Sequence, residues 1–166
     1  DVPDGSALSG YASALAPAGL DPALNFELAS IAGAKVILAV GADLPVAQPL
    51  LWLEVLRAVR GGAVLFGVDT AQPAISRWAA YVFRPGPERR FGLLASIARL
   101  VAERKAGDEE TDIRGLAEFL ASLPALDIGR DAADEPAGAA HVRSAARLLA
   151  ESRPGVILAG SGLTGQ

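Results

Sequence analysis

Three short clusters in this chain combine glycine with a carboxylate or a hydroxyl, and each directly follows an apolar run. The run 36–40 leads into Gly41-Ala42-Asp43, the run 64–68 ends on Asp69-Thr70, and the run 156–159 leads into Gly160-Ser161-Gly162-Leu163-Thr164. If the runs are parallel strands, all three clusters fall at strand carboxyl ends, where open α/β sheets bind ligands near a change in strand order. Glycine there brings backbone N–H groups close to a phosphate, and a helix start favours an anion. A carboxylate there accepts hydrogen bonds from ribose hydroxyls or a base edge. Glycine after a strand also serves a bare turn, and Asp also caps the next helix, so either role fits each cluster taken singly. Together they define a candidate cofactor-binding set: Gly41, Asp43, Asp69, Gly160, Gly162 and Thr164.

Gly160, Gly162 and Gly165 also spell G-x-G-x-x-G, the dinucleotide fingerprint, immediately after an apolar run. The acidic partner of that motif belongs about 20 residues downstream, and Asp69 lies upstream of it. No catalytic residues are assigned. Cysteine is absent, which removes disulfides, thiolate metal sites and thiol nucleophiles, and His141 is the only histidine. The carboxylates Glu109-Glu110 and those from Asp131 to Glu135 fall in polar stretches that read as solvated charge. Ser144 and Ser161 have no adjacent base. Arg89-Arg90 read as surface residues at a helix start.

The elements that must position these clusters are legible from periodicity. Val36 to Val40 is short, β-branched and uninterrupted, as in a strand buried on both faces. Pro49 opens a helix whose Trp52, Val55, Leu56 and Val59 form one apolar stripe, and Gly61-Gly62 ends it. Val64 to Val68 is the second strand, and one intervening helix makes the pair parallel with a right-handed crossover. A short helix over Pro73 to Ala79, a short strand at Tyr81 to Phe83 and a Pro85-Gly86-Pro87 turn come next. A long helix carrying Leu94, Ile97, Ala98 and Val101 then runs to about Lys105. Ile113, Leu116, Ala117 and Leu120 mark another helix. Val142, Ala145, Ala146 and Leu149 mark the last, which Arg153-Pro154-Gly155 stops before the third long apolar run. Upstream, Asp21-Pro22 reads as a helix start, Leu24, Leu28 and Ile31 as its stripe, and Gly33 as its left-handed stop.

The fold class expected is α/β: three layers around a mostly parallel, doubly wound, Rossmann-like sheet, in a fragment of a larger chain. The expected divisions are a helical lead-in over 1–33, an α/β core over 34–123 and a loop or linker over 124–138. Residues 139–166 then supply a helix and strand that complete the sheet or start the next subdomain. With 166 residues and a formal charge of −4, the chain lacks the basic balance of a nucleic-acid binder. No apolar run approaches the roughly 18 residues of a membrane span.

The order of these motifs resembles the molybdopterin oxidoreductase family over roughly residues 34–164. Members carry a strand followed by G-S-N-P and a proline that opens a helix, and here Gly41-Ala42-Asp43-Leu44 and Pro49-Leu50-Leu51 stand at those places. The family's G-A-K and D-P-R are matched by Gly62-Ala63-Val64 and Asp69-Thr70-Ala71. Its Pro-Gly turn before a leucine-rich helix is matched by Pro85-Gly86 and Leu93-Leu94, and its G-x-G-x-T-Q-like turn by Gly160 to Thr164. The departures are Asp43 for Asn, Leu44 for Pro, and Thr70-Ala71 for Pro-Arg.

In molybdenum enzymes those positions help hold the pterin guanine dinucleotide, so their loss is closer to the G chain of NADH-quinone oxidoreductase (complex I), whose similar domain is structural. The resemblance implies no cofactor in this fragment and iron–sulfur clusters in the parent, with molybdopterin guanine dinucleotide in relatives. It further implies other subunits of a respiratory complex as partners, no nucleic acid, no direct membrane insertion, and a place on the cytoplasmic face of the inner membrane. The segment from Ser144 to Gly165 also resembles the FAD- or ADP-binding-like middle domain of thiamine-diphosphate enzymes. A stand-alone nucleotide-binding module is the third alternative.

Overall fold

The computed structural model describes residues 28–69, 73–105, 116–123 and 138–160. The chain enters through a 3-10 helix, Leu28–Gly33, and forms strand β1 (Val36–Val40), helices α1 (Leu44–Ala47) and α2 (Pro49–Arg60), and strand β2 (Val64–Val68). A 3-10 turn at Ala74–Arg77 leads to β3 (Tyr81–Phe83). Helices α3 (Arg90–Lys105), α4 (Leu116–Ser122) and α5 (Gly138–Glu151) then lead to β4 (Gly155–Ala159). The expected helix start at Asp21-Pro22 with Leu24, the residues around Ile113, most of the 124–138 loop and everything after Gly160 lie outside the described residues.

The described strands form one sheet in the order β3-β2-β1-β4, and every pairing is parallel. The last strand therefore joins the sheet begun by β1. All five residues of β1 are buried, because β1 is central and both of its faces are covered. Alternation along the strand divides them. Ile37 and Ala39 face the cluster that holds Trp52, Val55 and Ala58 of α2, with Ile31 of the entry turn. Val36, Leu38 and Val40 face Leu93 and Ile97 of α3 and Val142 of α5. A right-handed crossover lays its helix on one face when the chain moves one way along the sheet, and on the opposite face when it moves back. The step from β1 to β2 carries α2, and the return from β3 to β4 carries α3 and α5, so the sheet becomes the middle of three layers.

Several local signals resolve differently from their expectation. Pro49 does open α2, but a short extra helix, α1, precedes it with Pro45 in its first turn. Gly33 ends a 3-10 helix and does not adopt a positive φ; among the described residues only Gly41 and Gly62 do. The stretch expected as a short helix from Pro73 is a 3-10 turn. It folds down over Gly67 of β2, where an added Cβ would sit 3.2 Å from Ile75 Cδ1. Arg89 and Arg90 are half-buried, because the Pro85-Gly86-Pro87 turn tucks the start of α3 against the sheet.

The end of α2 shows which of two adjacent glycines matters. The Gly62 N–H donates to Val59 O and the Ala63 N–H to Ala58 O, each at 3.0 Å. This paired closure needs a left-handed residue between helix and strand, and Gly62 supplies it with φ 97°. No atom lies within 4 Å of a Cβ built there, so the cost of a side chain is purely conformational. Gly62→Ala should therefore lower stability by about 1 kcal/mol. Urea denaturation checks this, and an unchanged midpoint would refute it.

Candidate functional site

Strand register brings the predicted clusters together at one edge of the sheet. Val40 pairs with Val68 on one side and Ala159 on the other, and Val68 pairs with Phe83. The next residue of each strand therefore falls in one row: Arg84, Asp69, Gly41 and Gly160. The strand order reverses between β1 and β4, so Gly41 and Gly160 flank the switch point at which doubly wound sheets open a crevice. Gly162 and Thr164 lie outside the described residues.

The backbone groups of this row serve the sheet. The Gly41 N–H donates to Val68 O at 2.8 Å, the Gly160 N–H to Val40 O at 2.9 Å and the Asp69 N–H to Phe83 O at 3.0 Å. Each bond extends a ladder by one step. None of these three donors points outward as a phosphate cradle would require. Gly41 is buried and turns the chain with φ 55°. Gly160 lies against that turn so closely that a Cβ on it would overlap Gly41 O and come within 2.5 Å of Ala42 Cα. Glycine at 160 is a packing requirement of the β1–β4 junction.

Side chains differ along the row. Asp43 is exposed, and its carbonyl starts α1 by accepting the Ala47 N–H at 2.8 Å, while its carboxylate makes no cap bond. Asp69 is half-buried at the end of β2. Leu44 is 2% exposed and packs in the α2-side core. Arg84 was missed by sequence reasoning. Applying the strand-end rule to the short run Tyr81 to Phe83 would have found it, since it is an exposed cation beside Asp69 in register.

Among the described residues, no group of three His, Cys, Asp or Glu could hold a metal ion. The His141 ring stacks on Tyr81 with centroids 3.9 Å apart and planes 16° from parallel, which joins α5 to β3 as packing. No helix among the described residues is long and apolar enough to cross a membrane.

A parallel sheet with helices on both faces and one reversal of strand order defines a Rossmann-like α/β fold. No family model and no curated protein matches the sequence. Among solved structures the chain is similar to acetylene hydratase from Pelobacter acetylenicus, with a TM-score of 0.65 and 16% identity over 78% of this chain. The match covers 18% of that protein, so the chain spans less than a fifth of the structure it resembles. The likeness is one of fold.

Proposed function

We propose that this chain is a non-catalytic structural domain of an electron-transfer oxidoreductase, of the kind found in the G chain of NADH-quinone oxidoreductase. It retains the outline of a pterin-dinucleotide cleft without the groups that grip the cofactor. The observation that carries this reading is the row Asp69, Gly41, Gly160 at the switch point, set by register. The order of motifs along the chain supports it. The fold likeness to acetylene hydratase is compatible with it.

On this reading the described residues of the row do not grip a pterin dinucleotide. The N–H groups of Gly41, Asp69 and Gly160 are committed to the sheet. Leu44 is turned into the core. Ala71 stands where the family's arginine would pair with an anion. The part left to such a domain is mechanical: it scaffolds its parent and packs against neighbouring subunits, while iron–sulfur clusters elsewhere carry the electrons from NADH toward quinone.

Thermal melting of the purified chain with millimolar GTP, ADP, FAD or NAD tests this reading. A ligand at about a hundred times its Kd adds about 2.7 kcal/mol, which raises Tm by roughly 5–10 °C for a domain of this size. The expected shift is below about 1 °C for all four. A rise of several degrees with one nucleotide would instead make the chain a binding module. In that case Asp69→Ala should abolish most of the shift while leaving the unliganded Tm in place.

A further inference from the structure

The outer face of α2 divides along its length into two chemistries. Leu50, Leu53, Arg57 and Arg60 recur at i, i+3, i+7 and i+10, so they share one face, opposite the buried Trp52, Val55 and Ala58. The later half of that face is an ordinary wet surface, with Arg57 and Arg60 exposed and Arg57 paired to Glu54 at 2.7 Å. The first half is aliphatic. Among the described residues, Leu50 and Leu53 are 69% and 56% exposed, and Val46 of α1, which packs beside α2, is 76% exposed. Aliphatic side chains gathered on the outside of a helix mark a face that another element covers.

The path of the chain and its charges say which element that is. The entry helix Leu28–Gly33 lies along α2, and its Ile31 is buried in the cluster that holds Trp52, Val55 and Ala58. The residues before Leu28 are therefore tethered at the flank of α2. Residues 1–27 also carry the matching chemistry. They include Leu15, Leu20, Leu24 and Phe26, and their charged groups are Asp1, Asp4, Asp21 and Glu27, with no lysine or arginine. A tethered segment is held near its target at an effective concentration in the millimolar range, so a small patch suffices to dock it. A second copy has no such advantage. Three aliphatic side chains fall well short of the roughly 800 Å² that each partner gives a stable protein interface.

We infer that residues 1–27 dock on the outer face of α1 and α2. Their aliphatic and aromatic side chains cover Val46, Leu50 and Leu53, and their carboxylates lie toward Arg57 and Arg60. The lead-in is then part of the α2-side layer, and it hides a surface that would otherwise attract other proteins.

Amide hydrogen exchange of the whole 166-residue chain tests the inference, with Leu50→Lys/Leu53→Lys beside the wild type. Amides within residues 11–27 should exchange at least tenfold more slowly in the wild-type chain than in a synthetic peptide of residues 1–27. The double substitution should remove most of that protection and leave β1 exchange unchanged, since both leucines are exposed. A second readout needs no change at either leucine. The chain lacks cysteine, so a nitroxide on Val46→Cys marks one site, and it should broaden the amide resonances of residues 11–27. The same label on Arg147→Cys, on the exposed face of α5 across the sheet, should not. Exchange at 11–27 as fast as in the peptide would overturn the inference, as would protection that survives the double substitution or equal broadening from the two labels. A wild-type chain that sediments as a dimer and becomes monomeric on Leu50→Lys/Leu53→Lys would put a second copy on this face, which also overturns it. The nucleotide melts read the cleft and not this face, so the two proposals fail separately.

Discussion

Gly160→Ala should destabilise the domain by about 3 kcal/mol, the upper part of the overpacking range. The added methyl meets Gly41 O and Ala42 Cα, which are backbone atoms with no rotamer to change. Either β4 moves away from β1 or the Gly41 turn reopens. Both weaken the Gly160 N–H bond to Val40 O, and Gly41 already holds a positive φ that leaves its turn little freedom. Gly33→Ala is the control, because no atom lies within 4 Å of a Cβ there and its φ is not positive. Its effect should stay within about 0.5 kcal/mol, with any gain coming from the stiffer unfolded chain. Urea denaturation of both variants decides the matter. Equal midpoints would show that Gly160 is not a packing requirement and would reopen a ligand role for its backbone.

The second large effect lies at the opposite edge. Phe83→Ala should cost about 4 kcal/mol, through lost apolar burial and the cavity left behind. Phe83 is 1% exposed, with Phe66 stacked at 6.4 Å and Tyr81 edge-on at 4.8 Å between ring centroids. Tyr81 in turn carries the His141 stack, so removing Phe83 loosens the contact between β3 and α5. For a chain of this length Tm should fall by on the order of 8–16 °C. Phe91→Ala is the matched control: Phe91 is 64% exposed, and its loss should cost less than about 0.5 kcal/mol. Similar losses at the two positions in thermal or chemical denaturation would contradict the layer assignment.

These two pairs show how much was legible in the chain. The strands at Val36 to Val40 and Val64 to Val68 and the helix opened by Pro49 stand where periodicity places them, because burial on both faces leaves a strand no choice but continuous apolar residues. The short strand Tyr81 to Phe83 is also where expected. Less legible were the 3-10 turn after Pro73 and the extra helix at Leu44–Ala47, since neither is long enough to show a period. Gly61 and Gly62 are identical in sequence, and only the closure of α2 distinguishes them. The same holds for Phe83 and Phe91, whose exposure depends on elements far away along the chain.

Local residue pattern was sufficient for the α/β class, for its three layers and for the strand ends as places to look, since alternation, helical stripes and turn glycines act over a few residues. Register and strand order were beyond it. Pairing of β4 with β1 joins residues more than a hundred positions apart and sets Gly160 against the Gly41 turn, while pairing of β3 with β2 puts Arg84 in the row. The three pairings together commit the N–H groups of Gly41, Asp69 and Gly160 to neighbouring carbonyls. A backbone donor is spent or spared by its neighbour in space, so only the folded chain decided that these glycines close a sheet.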